Sequence, residues 1–206
     1  FLTVLTAYPL SKPTLRGRKF FLGIFVFIML FGAGMVPNYI LYRSLHLTNT
    51  IWALIFSGAF SVFNLFIVKN YYESLPETVE EAARIDGASN MKILFQIVLP
   101  MSLPVVATVT LFYGVSYWNN YFAGVMYITD PSLKSLQQYL YDLITLAMNT
   151  VDSTGVAVDG AENLANITGE VVRSATIVVS TIPILVLYPF LQKYFVKGVT
   201  IGSVKG

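Results

Sequence analysis

The chain has 206 residues, of which 55% are apolar and only 12% charged, well below the ~25% charge usual in soluble domains. This is the composition of a membrane protein, and its net charge of +2 comes from basic residues dispersed among apolar segments, which argues against a nucleic-acid partner. There is no cysteine, which excludes disulfide staples, thiolate metal sites and cysteine nucleophiles.

In chain order, "FLTVLTAYPL" (1–10) reads as the end of an apolar span whose start is missing, so the chain is read as an N-terminally incomplete fragment. A signal peptide is not expected, because no basic segment precedes the run and no small-residue cleavage site follows it. Four complete spans then follow by charge-free length, taking ~20 apolar residues to cross a ~30 Å hydrocarbon core. They are 20–42, 47–68, 103–128 and 174–192. The third is what remains of the charge-free stretch 93–129 after Pro100 and Pro104 divide it, and the last contains Pro183 and Pro189. The counted spans contain no Asp, Glu, Lys, Arg or His.

Lys and Arg set the orientation. Lys12, Arg16, Arg18, Lys19, Lys69, Arg84, Lys92, Lys193, Lys197 and Lys205 share one side, ten of the thirteen basic residues, which makes that side cytoplasmic and places the C-terminus there. Arg43, Lys134 and Arg173 fall on the other side with six acids from Asp130 to Glu170.

The cytoplasmic segment 73–102 holds Glu73, Glu77, Glu80, Glu81, Arg84, Asp86 and Lys92. Ser74-Leu75-Pro76-Glu77 fits a capping box, which predicts a helix from Leu75 with Ser74 as its N-cap. Glu80 and Arg84 form an i,i+4 pair, opposite a small face of Val79, Ala82 and Ala83. Gly87 is placed to stop this helix in a left-handed conformation. A second helix is expected with Met91, Leu94, Phe95 and Val98 on one apolar stripe, ending at Leu99-Pro100.

Farther on, Trp118-Asn119-Asn120 lies in the outer half of a span. Amides in lipid face another helix or a cavity, so these residues, and Asn64 likewise, either bond between helices or line a path for solute. The loop 129–170 has a helical apolar spacing at Leu136, Leu140, Leu143 and Leu146. His46, the lone histidine, has no acidic or histidine partner near it in sequence, so neither a metal nor a proton-relay role is expected. The tail "VKGVTIGSVKG" reads by composition as a flexible end.

"EEAARIDGASNMKILFQIVLP" resembles the EAA loop of the membrane subunits of type I ABC importers. The pattern is met by Glu81, Ala82, Ala83, Gly87, Ile97, Leu99 and Pro100. "GMVPNYILYRSLHLTNTIWALI", "YWNNYF" and "KYFVKGVTIGSVKG" are similar to the maltose-permease-like subunits of the carbohydrate uptake family, so the resemblance covers essentially the whole chain. It implies an all-α integral membrane chain of the methionine-importer-like permease fold in a bacterial or archaeal cytoplasmic membrane. The spans counted here would be the family's third to sixth. It further implies coupling to a separate ATPase through Glu81, Ala82, Ala83, Asp86, Gly87, Ala88, Ile97, Leu99 and Pro100. The partners implied are a second permease subunit, an ATPase dimer that holds ATP and Mg, an extracytoplasmic solute-binding protein probed by part of 129–170, and membrane lipid. The solute is a sugar, with Asn64, Trp118, Asn119 and Asn120 as possible path residues, and Gly198 to Gly206 would reach between the ATPase subunits. No G-x-x-x-x-G-K-[ST] loop occurs, so the chain itself is expected to hold no cofactor and to hydrolyse no ATP.

Three other readings compete. A type I permease for a non-sugar solute shares the EAA loop. A secondary transporter would need ionisable groups inside the spans, and a membrane-embedded enzyme would need a metal or nucleophile cluster; the sequence offers neither.

Overall fold

A computed structural model describes residues 1–153, 171 and 173–186, and every regular element among them is helical. The helices are α1 (Leu2–Ser11), α2 (Arg18–Leu30), α3 (Met35–Ser44), α4 (Ile51–Ser57), α5 (Val62–Glu73), α6 (Glu77–Ile85) and α7 (Asn90–Ile93). A π-helical segment (Leu94–Val98) leads into α8 (Leu99–Met101), followed by α9 (Leu103–Trp118), α10 (Tyr121–Tyr127), a 3-10 turn (Pro131–Leu133) and α11 (Leu136–Ser153). The last is α12 (Arg173–Val186).

The spans expected at 20–42, 47–68 and 103–128 are each broken in two, and no single described helix is long and apolar enough to cross a membrane. Length and hydropathy are reached only jointly, by α2 with α3, by α4 with α5, and by the Asn90–Met101 run with α9. The breaks have local causes that a charge-free count cannot register. Gly34, at φ 81°, lies between α2 and α3. Ser61 stops α4 from running into α5 by capping the latter, its hydroxyl accepting from Asn64 N–H at 3.3 Å. Asn120 does the same for α10, accepting from Ala123 N–H at 3.2 Å. Of the span expected at 174–192, residues 187–192 lie outside the described residues.

The described residues form two compact units, one of residues 1–35 and 58–114, the other of 36–57 and 115–186. In the first, α1 packs along α5. Ala7 and Leu10 meet Leu65, Val68 and Tyr72 in a core that also takes Val105 and Val109 of α9 and Ile93, Leu94 and Val98. Tyr8 and Tyr72 meet edge to face at 6.3 Å. At the other end of α1, Thr3 Oγ1 lies 2.7 Å from Tyr113 Oη, which accepts from Ser61 N–H at 2.8 Å. α2 buries none of its side chains and exposes Phe20, Phe27, Ile28, Met29 and Leu30, an apolar surface that suits lipid or another subunit rather than water.

In the second unit Ala53 of α4 packs on Ala123 and Tyr127 of α10, with Tyr42 stacked on Tyr127 at 4.4 Å. Gly124 lets α11 approach closely here: a Cβ would come within 2.5 Å of Gln138 Oε1 and 3.2 Å of its Cβ, so the glutamine would have to shift. Of the stripe expected on α11, Leu140 is buried, Leu143 is half-buried, and Leu136 and Leu146 are exposed.

Candidate functional site

The polar segment of the first unit is built differently at its start from the capping box expected there. α6 begins at Glu77, not Leu75, and its N-cap is Pro76, without a side-chain cap. Ser74 is taken by the preceding helix: it is the C-cap residue of α5, and its hydroxyl donates to Tyr71 O at 2.7 Å. Pro76, at φ −62° and ψ 120°, holds extended backbone between the two helices, so Ser74 cannot also reach the first turn of α6.

α6 buries only Glu80 and Ala83. The small face expected from Val79, Ala82 and Ala83 is therefore divided: Ala83 enters the core, while Val79 and Ala82 face outward with Glu81. Ile85, at the end of the helix, is 87% exposed. The stop is a Schellman motif. Gly87 N–H donates to Arg84 O at 3.0 Å, Ala88 N–H to Ala83 O at 2.9 Å, and Gly87 has φ 78°. Ala88 packs on the core beside Ala83, which completes the apolar contact of that motif. Asp86 and Gly87 are exposed.

Ser89 opens the second run as an N-cap, its hydroxyl accepting from Lys92 N–H at 3.4 Å. The apolar stripe is not the one expected. Ile93, Leu94 and Val98 are buried and Ile97 packs on them, whereas Met91 and Phe95 face outward. The helical run also continues through Leu99 and Pro100 to Met101. Leu99 N–H reaches Leu94 O, five residues back, and this one-residue slip absorbs the donor that Pro100 lacks. Leu99 is half-buried and Pro100 exposed. The run from Asn90 to Met101 meets α9 at a bend of 84°.

Glu80 is only 5% exposed. Its carboxylate pairs with Lys12, accepts from Tyr8 Oη at 3.3 Å, and lies 3.5 Å from Arg84 Nη2. Lys12 Nζ also lies over the Tyr8 ring, 5.1 Å from its centroid. Next to this cluster, Arg18 pairs with Glu73 and donates from Nε to Leu10 O at 2.8 Å, while Lys69 Nζ holds the second Glu73 oxygen at 2.8 Å. The carboxylates of Glu73 and Glu80, on consecutive helices, thus grip the basic turn that joins α1 to α2.

Of the possible path residues, Asn64 is buried in the first unit and the others belong to the second. Trp118 Nε1 donates to Ser180 O at 3.0 Å, and Asn120 Nδ2 donates to Ser57 Oγ at 3.1 Å while its carbonyl caps α10. Asn119 is exposed. Asn49, at φ 58°, accepts from Thr129 N–H and Asp130 N–H at 3.1 and 2.8 Å and fixes the exit of α10. Hydrogen bonds from Ser132 O–H and N–H hold the Asp130 carboxyl below the usual range. Among the described residues no three His, Cys, Asp or Glu side chains gather as a metal site would. The rest of the outer loop (154–170) and the tail Gly198 to Gly206 lie outside the described residues.

Sequence reasoning singled out Glu81 to Ala88 as a block without distinguishing Ile85 within it, passed over Tyr8, used Lys12 only to set the orientation, and treated Glu80 only as the i,i+4 partner of Arg84. The available signal was spacing: Glu80 stands three residues before Ala83, on the face that Ala83 turns inward.

The family model described as "Binding-protein-dependent transport system inner membrane component" matches residues 4–201. Protein LplC of Bacillus subtilis is 44% identical over 206 residues, covering all of this chain and 68% of that protein. The polygalacturonan/rhamnogalacturonan transport system permease protein YtcP of the same organism is 42% identical over 208 residues, covering all of this chain and 71% of that protein. A chain in the crystal structure of a bacterial ABC transporter involved in the import of the acidic polysaccharide alginate superposes with a TM-score of 0.78 at 37% identity, over 93% of this chain and 67% of that one.

Proposed function

The chain belongs to the family of binding-protein-dependent transport system inner membrane components, and on that premise we propose that it is the permease subunit of an ATP-driven sugar importer, driven through the segment 76–104. It forms half of a translocation path with a second permease subunit. A separate ATPase dimer, holding ATP and Mg, docks on the α6 turn on the cytoplasmic side, and an extracytoplasmic binding protein delivers the solute.

The observation that carries this reading is the outward face of α6. Ile85, the most exposed of its apolar side chains at 87%, stands in water between Glu81 and Asp86 at a turn fixed by Gly87. A buried aliphatic side chain contributes ~1.5–3 kcal/mol, and a rigid turn loses little freedom when a partner closes over it. The partner best suited is a cleft with an apolar socket and a basic rim. The solute is an oligosaccharide, with uronate-containing chains the first to test, because the relatives named above serve polygalacturonan, rhamnogalacturonan and alginate. Asn119, exposed on the second unit, is the amide of its group left for such a solute; Asn120 is engaged by the fold.

The test is uptake by the complete complex in proteoliposomes, supplied with its binding protein and labelled uronate or neutral oligosaccharides. Accumulation that requires both internal ATP and the binding protein is expected. Accumulation driven by an ion gradient without ATP would overturn the reading.

A further inference from the structure

The docking turn must be fastened to the membrane part of the chain if a partner's movement is to reach the solute path. α6 has little to hold it, since it buries two side chains and one of them is an alanine. A methyl group packed on a core resists separation but slides easily. Glu80 differs, because its carboxylate is held from three directions by Lys12, Tyr8 and Arg84, and directional bonds oppose sliding and rotation as well as separation.

Two of the three partners lie at the end of α1, where Lys12 is the C-cap residue. α1 lies against α5 along its length and ends in a second polar node, where Thr3 meets Tyr113 of α9 and Tyr113 holds Ser61 at the start of α5. From Thr3 to Lys12 the rod spans roughly 13 Å at ~1.5 Å per residue. Resting on the proposed role of α6, we infer that Glu80 is a positioning residue: it locks the docking helix to α1, and α1 passes displacement to α9 and α5 through the Thr3–Tyr113–Ser61 node. Glu80 faces inward, with 5% of its surface exposed, so its part is in transmission, not in docking.

The experiment uses the complete complex in proteoliposomes and reads three quantities: ATPase retained per permease, ATP hydrolysed, and solute taken up per ATP. Glu80→Gln is expected to keep the ATPase at wild-type stoichiometry while uptake per ATP falls about fivefold or more, with Lys12→Met acting in the same direction and the double variant no worse than the weaker single, as for groups acting through one contact. Tyr113→Phe, at the far node, is expected to lower the same ratio without loss of ATPase. Independent losses that multiply in the double variant would overturn the inference, as would unchanged uptake per ATP, or loss of the ATPase from Glu80→Gln. A wild-type complex that retains no ATPase would instead refute the permease reading on which this rests.

Discussion

Two left-handed turns close helices in this protein with the same pair of backbone bonds, one with a full side chain and one with none. After α3, in the second unit, His46 N–H donates to Arg43 O at 3.1 Å and Leu47 N–H to Tyr42 O at 3.0 Å, with His46 at φ 54°. After α6, in the first unit, Gly87 and Ala88 repeat the arrangement at φ 78°. A Cβ on Gly87 would meet nothing within 4 Å. The fold therefore tolerates a side chain in such a turn, and nothing among the described residues crowds one out at Gly87. What the glycine supplies is a few tens of degrees of φ and a bare outer surface, and the second matters only to something that comes from outside.

The comparison breaks or holds first on leucine at both positions. Gly87→Leu carries ~1–2 kcal/mol of backbone strain, which leaves a protein of ordinary stability, ~5–15 kcal/mol, folded, yet it is expected to abolish at least ~90% of uptake. His46→Leu, already in left-handed backbone, is expected to stay within about twofold of wild type. Both are assayed at matched membrane levels, and equal losses would reduce Gly87 to a purely conformational role.

Next in size is Ile85→Asp. A fully exposed side chain can change by ~0.5 kcal/mol or less in stability, but a central interface residue contributes ~2 kcal/mol or more. ATPase co-purification is expected to fall about thirtyfold with an unchanged melting temperature. The matched change at the other turn, Leu45→Asp, where Leu45 is 57% exposed, should leave ATPase retention at the wild-type level.

Asn120→Ala carries the contrast to another residue of the second unit, whose amide caps α10 and donates to Ser57 of α4. Loss of an N-cap costs ~0.5–2 kcal/mol, so thermal unfolding should begin several degrees lower while the ranking of transported sugars stays the same. A changed ranking would move Asn120 from the fold to the solute path.

The smallest effect is expected from Tyr72→Phe. Among the described residues the buried Tyr72 hydroxyl has no hydrogen-bond partner, so its removal should change stability by ~0.5 kcal/mol or less, or raise it slightly, as read by thermal unfolding.

What the sequence made legible follows how local each cause is. Gly87 could be read because the Schellman stop is written in consecutive residues, and Glu80–Arg84 because helical spacing brings them together. Ser74 satisfied the same kind of pattern and misled, because a serine between two helices can bond to either and Pro76 decided the matter. The burial of Glu80 was not legible, since Tyr8 and Lys12 stand 72 and 68 residues away. The broken spans were hidden for a different reason: Gly34, Ser61 and Asn120 carry no charge, so a count that looks for charge passes straight over them. The apolar stripe of the second run was displaced because a regular 3.6-residue period was assumed through a segment that contains a slip.

That slip, between Leu94 and Val98, sets an azimuth. A π turn holds one residue more than the α turn it replaces, so the helix before it is rotated by roughly 100° and shifted by ~1.5 Å relative to an unbroken helix. Deleting one residue from 94–98 would let the ladder close as α and swing Asn90 to Ile93, together with the α6 turn ahead of them, around the axis of the run. The insertion thus acts as an indexing tooth that decides which compass direction the proposed docking turn faces. Grafts that exchange this loop between related permeases should keep aim only when both parents count the same number of residues between Gly87 and Pro100.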